Sequence, residues 1–141
     1  MRAFGRVVGF GGSAVVQPYM RELLREIGTV LAEVPNRLTL EGHTDAAPFA
    51  GGGLGYGNWE LSADRANASR RELMAGGLPE DRMLRVQGLA ASLLFEPKDP
   101  LAASNRRISI IVMNREAEER VFRTEIEPEP ADDAPSSPAV Q

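Results

Sequence analysis

The chain has 141 residues, 43% of them hydrophobic, and a formal net charge of −4. This length is typical of one domain, and no stretch approaches the roughly 20 apolar residues that a membrane-spanning helix requires. The chain contains no cysteine, which excludes disulfides, thiolate zinc sites and cysteine nucleophiles. Five acidic residues lie in residues 125–141, so residues 1–124 carry sixteen basic and fifteen acidic side chains. This near-neutral balance argues against nucleic acid binding, which requires a concentrated basic surface.

The first third of the chain predicts a helix between two strands. Residues 6–10 predict at most a weak first strand, because several glycines surround them. Pro18 is a favourable first helical residue, and apolar residues then recur at helical spacing until Pro35 ends the pattern. Residues 37–41 alternate between apolar and polar side chains, which predicts a strand. The first ten residues lack the sustained apolar block of a signal peptide, so we expect any export signal to lie outside this chain.

The second helix is predicted to follow a long glycine-rich connection at residues 46–57. Connections of this length and composition are usually functional or mobile. Asn58 is a good N-cap for a helix over residues 59–75, which the following glycine pair would end.

Two further strands and a tail complete the pattern. Residues 83–87 predict a short strand, and the β-branched run at residues 107–113 predicts a central one. Residues 123–141 are acidic and rich in proline, which predicts a disordered tail. Helices interleaved with strands predict an α+β two-layer sandwich, in which a mixed sheet of three to four strands carries two main helices on one face.

Catalytic and cofactor sites find little support in the sequence. His43 with Ser62 and Asp64 resembles a hydrolytic triad only in composition, since Ser62 lies within a helix pattern rather than on an exposed turn. One histidine among scattered carboxylates lacks the spacing of zinc ligands. The glycines of residues 51–57 are not followed by the lysine of a phosphate-binding loop. We therefore predict no catalytic residues, no metal and no cofactor.

One pair of charged residues indicates a binding site. Asp45 follows a predicted strand, and Arg65 lies in the second turn of the helix after the loop, so both can reach one rim of the fold. If they face solvent together, the aspartate can accept hydrogen bonds from an ammonium group and the arginine can pair with a carboxylate. Such a pair matches a zwitterionic amino acid centre. The alternative is a structural salt bridge between the two.

Three ordered motifs resemble the OmpA-like peptidoglycan-binding domain. They are GHTD at residues 42–45, NWELSADRANASRREL at 58–73 and NRRISI at 105–110. The segments at residues 12–21, 35–49 and 56–74 further resemble MotB-type flagellar motor stator subunits. The resemblance covers about residues 12–122, which we interpret as one OmpA-like domain, whereas residues 1–11 match the family poorly.

The resemblance implies specific binding residues. OmpA-like domains bind the diaminopimelate of the peptidoglycan stem through residues that match Asp45 and Arg65, and Asn58 matches the asparagine ahead of the second helix. Asn105, Arg106 and Arg107 also match, although a structural role at a strand edge explains them equally well.

The resemblance also implies a cellular setting. We expect a periplasmic domain of an inner-membrane protein that forms a homodimer and joins a MotA-type stator subunit through a membrane segment absent from this chain. Ion conduction is not assigned to this chain. The expected function is therefore non-catalytic anchoring of a stator to the cell wall. The alternatives are a general OmpA-like or Pal-like envelope anchor, a peptidoglycan hydrolase, and a structural domain without a wall ligand.

Overall fold

A computed structural model of the protein describes residues 2–7, 16–49 and 53–126. Four strands and three helices follow one another in these residues. They are β1 (Arg2–Val7), α1 (Pro18–Leu31), β2 (Leu38–His43), α2 (Asn58–Ala75), β3 (Met83–Gly88), β4 (Arg107–Val112) and α3 (Arg115–Ile126). Short 3₁₀ turns at Glu80–Arg82 and Ala103–Asn105 precede β3 and β4.

The strands form one mixed sheet with the order β1-β4-β2-β3. β2 runs parallel to β3, whereas β4 pairs antiparallel with β1 on one side and with β2 on the other. The β-branched run therefore lies inside the sheet, as its composition predicts. The α+β fold with a mixed sheet is confirmed.

The two main helices cover one face of the sheet and enclose the core. Leu24 of α1 and Leu73 of α2 are fully buried against Leu40 and Ile110 of the central strands. Because side chains alternate along a strand, Ile111 lies on the opposite face. There it packs in a second, smaller apolar cluster with Ala117 and other residues.

Glycine allows α2 to approach the sheet closely. Gly42 of β2 pairs with Gly88 of β3. A Cβ atom added at Gly42 would lie 2.0 Å from the backbone oxygen of Ser62, and one added at Gly88 would lie 2.4 Å from the nitrogen of Ala63. The helix thus lies directly on the backbone of these strands. This contact fixes the height of α2 above the end of β2.

The chain departs from its predicted elements at both ends. β1 lies at Arg2–Val7, so the weak strand predicted at residues 6–10 begins earlier than expected, and residues 8–10 lie outside the described residues. α3 occupies residues for which the pattern predicts no helix, and it continues to Ile126. The tail boundary predicted at residue 123 is therefore too early, and residues 127–141 lie outside the described part of the chain.

Smaller differences concern the ends of the internal elements. α1 ends at Leu31, three residues before the last apolar position of its pattern, because Glu33 and Val34 close tighter turns before Pro35. β2 continues to His43, beyond the predicted end at Glu41. Within the described ranges, no helix is long and apolar enough to cross a membrane.

Candidate ligand site at the carboxyl end of β2

Asp45 lies two residues beyond the end of β2, and both of its carboxylate oxygens are engaged. Oδ1 accepts a hydrogen bond of 3.1 Å from the backbone N–H of Ala47. Oδ2 lies 2.8 Å from Nη1 of Arg106, with which it forms an ion pair. The backbone bond holds the carboxylate in a tight turn, so its position is set before any ligand arrives.

Arg65 lies in the second turn of α2 and is buried, with only 2% of its surface exposed. Burial lowers the pKa of its guanidinium, and the neighbouring charge of Arg106 lowers it further, whereas Asp45 and Tyr56 raise it. Arginine nevertheless stays protonated at such sites. Asp45, Arg65 and Arg106 thus interact electrostatically, and we refer to these three residues as the charged cluster.

The structure brings the two predicted binding residues into one cluster, but their exposure differs from the expectation. The prediction that Arg65 faces solvent beside Asp45 is wrong, because α2 lies so close to the sheet that its inward-facing side chains are covered. The exposed guanidinium belongs to Arg106, whose side chain is 38% exposed, against 14% for Asp45. A signal for Arg106 exists in the sequence, since it immediately precedes the strand that pairs with β2.

Asn58 has a different role from the predicted helix cap. Gly57 is the N-cap of α2, and its N–H donates a 2.8 Å hydrogen bond to Oε1 of Glu60. Asn58 is the first helical residue, and its side-chain amide donates a 2.9 Å hydrogen bond to the carbonyl of Ala47. The amide therefore ties the start of α2 to the turn that carries Asp45.

A second loop supports the cluster from the side of β4. Asn105 is fully buried; its oxygen accepts a hydrogen bond from Glu96 N–H, and its amide donates to the carbonyls of Asp99 and Pro100. The carbonyl of Pro100 in turn accepts from Ala46 N–H at 2.9 Å. Asn105 thus fixes the loop beside Asp45 and the backbone position of its neighbour Arg106.

The residues considered for a hydrolytic triad are held in separate interactions. His43 is 1% exposed, and its Nε2 lies 3.3 Å from Oε1 of Glu41. The hydroxyl of Ser62 is fully buried, accepts from Ala90 N–H and donates to the carbonyl of Trp59. These bonds stabilise the contact between α2 and the sheet and leave the hydroxyl no exposed position for nucleophilic attack.

Asp64 is likewise engaged elsewhere. Its carboxylate accepts a 2.5 Å hydrogen bond from the hydroxyl of Tyr56, which raises the pKa of Tyr56 to about 12. Among the described residues, no group of three or more histidine, cysteine, aspartate or glutamate side chains is placed to hold a metal ion.

The chemistry of the charged cluster follows from its composition. Two guanidiniums face one carboxylate, so the cluster carries an excess of positive charge. Guanidinium groups present planar arrays of N–H donors that match a carboxylate, and a carboxylate accepts bonds from an ammonium. The arrangement can therefore bind a small group that combines both charges.

Comparisons with known proteins agree with the fold and the motifs. A family model described as the OmpA family matches residues 10–107. Motility protein B of Escherichia coli (strain K12) is 55% identical over 116 residues, which cover 82% of this chain and 38% of that protein. The chain thus spans less than two fifths of that relative's length.

Two solved structures illustrate the structural likeness. The periplasmic domain of Helicobacter pylori MotB has a TM-score of 0.66 at 18% identity, with 86% of this chain and 82% of that chain covered. At this identity the likeness concerns the fold alone. The cell wall anchor of the T6SS from Pseudomonas aeruginosa has a TM-score of 0.64 at 27% identity, with 78% of this chain and 80% of that chain covered.

Proposed function

The chain belongs to the OmpA family, and from this premise we propose that it binds peptidoglycan without covalent chemistry and anchors a flagellar motor stator to the cell wall. The 55% identity with Motility protein B supports the assignment to the motor. The similarity to a structure described as the cell wall anchor of the T6SS supports binding to the cell wall. The proposed ligand chemistry rests on the charged cluster at the end of β2, where a carboxylate lies beside guanidinium groups.

The proposed ligand group is the zwitterionic centre of diaminopimelate in the stem peptide. Its ammonium would bind the carboxylate of Asp45, and its carboxylate would bind the guanidinium side of the cluster, including Arg65. Asn58 would hold the turn that carries Asp45 through its bond to Ala47. Each charge-assisted hydrogen bond contributes roughly 1.5–3 kcal/mol before the cost of association. A dissociation constant on the order of a millimolar to tens of micromolar is therefore expected for one domain.

The cellular setting is part of the same proposal. The domain would lie in the periplasm as part of an inner-membrane protein, would pair with a second copy, and would act beside a MotA-type subunit. Two weakly binding domains on one polymer hold far more firmly than one, because the second contact is intramolecular. Pairing therefore makes weak single contacts sufficient for an anchor.

A pull-down with purified sacculi tests the wall contact. We expect the wild-type domain to co-sediment with sacculi, and Asp45→Asn to lose most of this binding because a neutral amide no longer attracts an ammonium. Arg65→Ala should also lose binding, but Arg65 is buried, so Arg65→Lys serves as the variant that keeps the charge. Asp81→Asn is a matched control, since Asp81 is exposed and precedes β3 at the opposite edge of the sheet.

The result is interpreted only for variants that stay folded, as judged by circular dichroism and thermal melting. Undiminished sedimentation of a folded Asp45→Asn variant would contradict the proposed contact. The alternative of a purely structural domain predicts a lower melting temperature for the charged-cluster variants without any wild-type binding to sacculi.

A hydrolase would give a different result. It predicts release of soluble wall fragments during incubation and loss of that release in His43→Ala. A general envelope anchor of the OmpA or Pal kind predicts wall binding without a contribution to motility. Replacing the matching domain of a motile relative with this domain distinguishes the latter, because a stator anchor should restore swimming and a general anchor should not.

A further inference from the structure

The face of the sheet opposite α1 and α2 carries polar side chains outside the charged cluster. Val86 of β3 packs into the main core, so its neighbour Arg85 lies on the opposite face, where it pairs with Thr39 of β2. The hydroxyl of Thr39 donates to the sulfur of Met113 on that same face. We refer to this side of β2, β3 and β4 as the outer face. α3 packs on it only around Ile111 and its neighbours.

The outer face has an excess of positive charge. The guanidinium of Arg85 makes no hydrogen bond or ion pair with any residue that the structure describes, and its buried Nε lacks an acceptor. Arg107 of β4 adds a second guanidinium on this face, opposite His43. Glu41 is the one carboxylate within β2, β3 and β4, and it already accepts a bond from Gln87 and lies 3.3 Å from Nε2 of His43. An unpaired, partly buried cation is stabilised by an anion that reaches it.

α3 leads an acidic segment of the chain to this face. Val121 of α3 packs in the same apolar cluster as Leu84, the residue immediately before Arg85. α3 ends at Ile126, so the segment that follows begins about 9 Å along the helix axis from Val121. Residues 127–141, which we call the acidic segment, contain no basic residue and four acidic ones, namely Glu127, Glu129, Asp132 and Asp133.

The acidic segment is long enough to cross the outer face. Arg85 and Arg107 lie on strands that are separated by β2, and two strand spacings amount to about 10 Å. The 15 residues from 127 to 141 can span up to about 50 Å when extended. Because the segment is joined to α3, its local concentration at this face is in the millimolar range, so weak contacts are sufficient for binding.

The prolines of the acidic segment favour contact through side chains over backbone pairing with the edge strand β3. Prolines at positions 128, 130, 135 and 138 have no N–H group and cannot continue a ladder of strand hydrogen bonds. They also favour an extended backbone at the preceding residues. Glu127 and Glu129 each precede a proline, so their carboxylates are spaced along an extended stretch next to the end of α3.

From these observations we propose that the acidic segment binds to the outer face of the sheet, where its carboxylates pair with Arg85 and with the positive charge around it. Contacts of this kind are ion pairs near the surface, so salt should abolish them, because the screening length falls from about 30 Å at 0.01 M to about 3 Å at 1 M salt. The inference does not depend on the wall contact, since Asp45 and Arg65 take no part in it.

Paramagnetic broadening of amide NMR signals in the full chain tests the inference. The chain contains no cysteine, so Ala134→Cys provides a single attachment point for a nitroxide label within the acidic segment. In low salt, the label should broaden the amide signals of Gln87 and Ser109 in the sheet more strongly than that of Asn67, which is exposed on the outer surface of α2. In 1 M NaCl this difference should be lost.

Variants of the labelled chain make the test specific to the proposed contact. Arg85→Gln should reduce the selective broadening, whereas Arg85→Lys, which keeps the charge, should retain most of it. Arg71→Gln is the matched control, since Arg71 is an exposed arginine of α2, and it should behave as the wild type. A variant in which all four acids of the segment are replaced by their amides should lose the selective broadening, and it leaves the described residues unchanged if Arg85→Gln does not fold.

Each outcome decides for or against the contact. Selective broadening that disappears in 1 M NaCl and in the amide variant, and survives in Arg71→Gln, supports the inference. Equal broadening of the sheet and α2, or stronger broadening of α2, overturns it. Broadening of the sheet that persists in the amide variant or in 1 M NaCl also overturns it, because it indicates backbone or apolar contact in place of ion pairs. None of these results changes the expectation for sedimentation with sacculi.

Discussion

At the scale of single residues, the carboxylate of Asp45 is shared between a backbone N–H and the guanidinium of Arg106. This ion pair is only partly buried, with the Arg106 side exposed to solvent, and ion pairs near the surface add little to stability. Asp45→Asn is therefore expected to affect ligand binding more than folding. Arg65 differs, because its guanidinium is buried and its removal affects the packing of α2 as well as the charge. The exposure of each side chain therefore decides which variants report on the ligand and which report on the fold.

The carboxylate of Glu41 makes the stability of the fold depend on pH. Its hydrogen bond with His43 lowers the pKa of Glu41 below the usual value of 4.5, and a bond from Gln87 acts in the same direction, whereas burial opposes them. A carboxylate with a lowered pKa in the folded state stabilises the fold at pH values above its unfolded pKa, and this stabilisation is lost as the pH falls below about 4.5.

We expect the free energy of unfolding of Glu41→Gln to decrease less at acidic pH than that of the wild type. Urea unfolding between about pH 6 and pH 3.5 should show that wild-type stability falls more steeply with acid than that of the variant. Glu33→Gln, at an exposed position just after the end of α1, is the control and should follow the wild type. Parallel curves for wild type and Glu41→Gln would contradict the assigned role of this carboxylate.

At the scale of elements, the contact between α2 and the sheet positions the site. Gly42 and Ser62 meet backbone to backbone. Gly42 lies three residues before Asp45, and Ser62 lies three residues before Arg65. The hydroxyl of Ser62 also accepts a hydrogen bond from the N–H of Ala90, beyond the end of β3. One close contact therefore sets the relative positions of the two predicted binding residues.

Gly42→Ala should disrupt this contact. The new Cβ would lie 2.0 Å from the oxygen of Ser62, so α2 must move away from the sheet, at a cost of about 1–3 kcal/mol or more. The measurement is the free energy of unfolding in urea, together with sacculus binding, which should weaken as Arg65 is displaced. Gly57→Ala is the control, because a Cβ there meets only Glu60 Oε1 at 3.9 Å. Equal stability of Gly42→Ala and wild type would refute the argument.

The third helix packs on the face of the sheet opposite to α1 and α2. Asn114 accepts a 2.7 Å hydrogen bond from Ala117 N–H, as an N-cap does. Ala117 then packs with Ile111 and Met113 on the face of the sheet that α1 and α2 leave uncovered. Glu118 of the same helix accepts a bond from the backbone of Arg37. α3 is thus part of the folded domain.

At the scale of the whole molecule, the proposed function requires only modest affinity at each site. Joining two copies by a flexible linker long enough to reach neighbouring stems should increase retention on sacculi by about 10²–10⁴-fold over one copy. Wash-resistant binding of the linked dimer measures this gain. A linked dimer in which one copy carries Asp45→Asn should return to the retention of a single domain. Retention of that mixed dimer at the wild-type level would contradict bivalent binding through the charged cluster.

Local features of the chain predict the order of the main elements and two residues of the charged cluster, Asp45 and Arg65. The β-branched run of β4, the proline that begins α1 and the glycine pair after α2 are local signals, because they depend on backbone preferences and side-chain alternation. The motifs around Asp45 and Arg65 likewise mark these two as predicted binding residues without any coordinates, and the family match shows that the chain belongs to the OmpA family.

Long-range contacts, in contrast, set which charged groups are exposed and which are buried. The burial of Arg65 results from the close approach of α2 at Gly42 and Gly88, and the pairing of Asp45 with Arg106 results from the antiparallel register of β2 and β4. Likewise, the sequence did not predict α3, because this segment is largely polar and its helix is stabilised by contact with the far side of the sheet. Such long-range contacts leave no periodic signal in the chain, because they join residues that are distant in sequence.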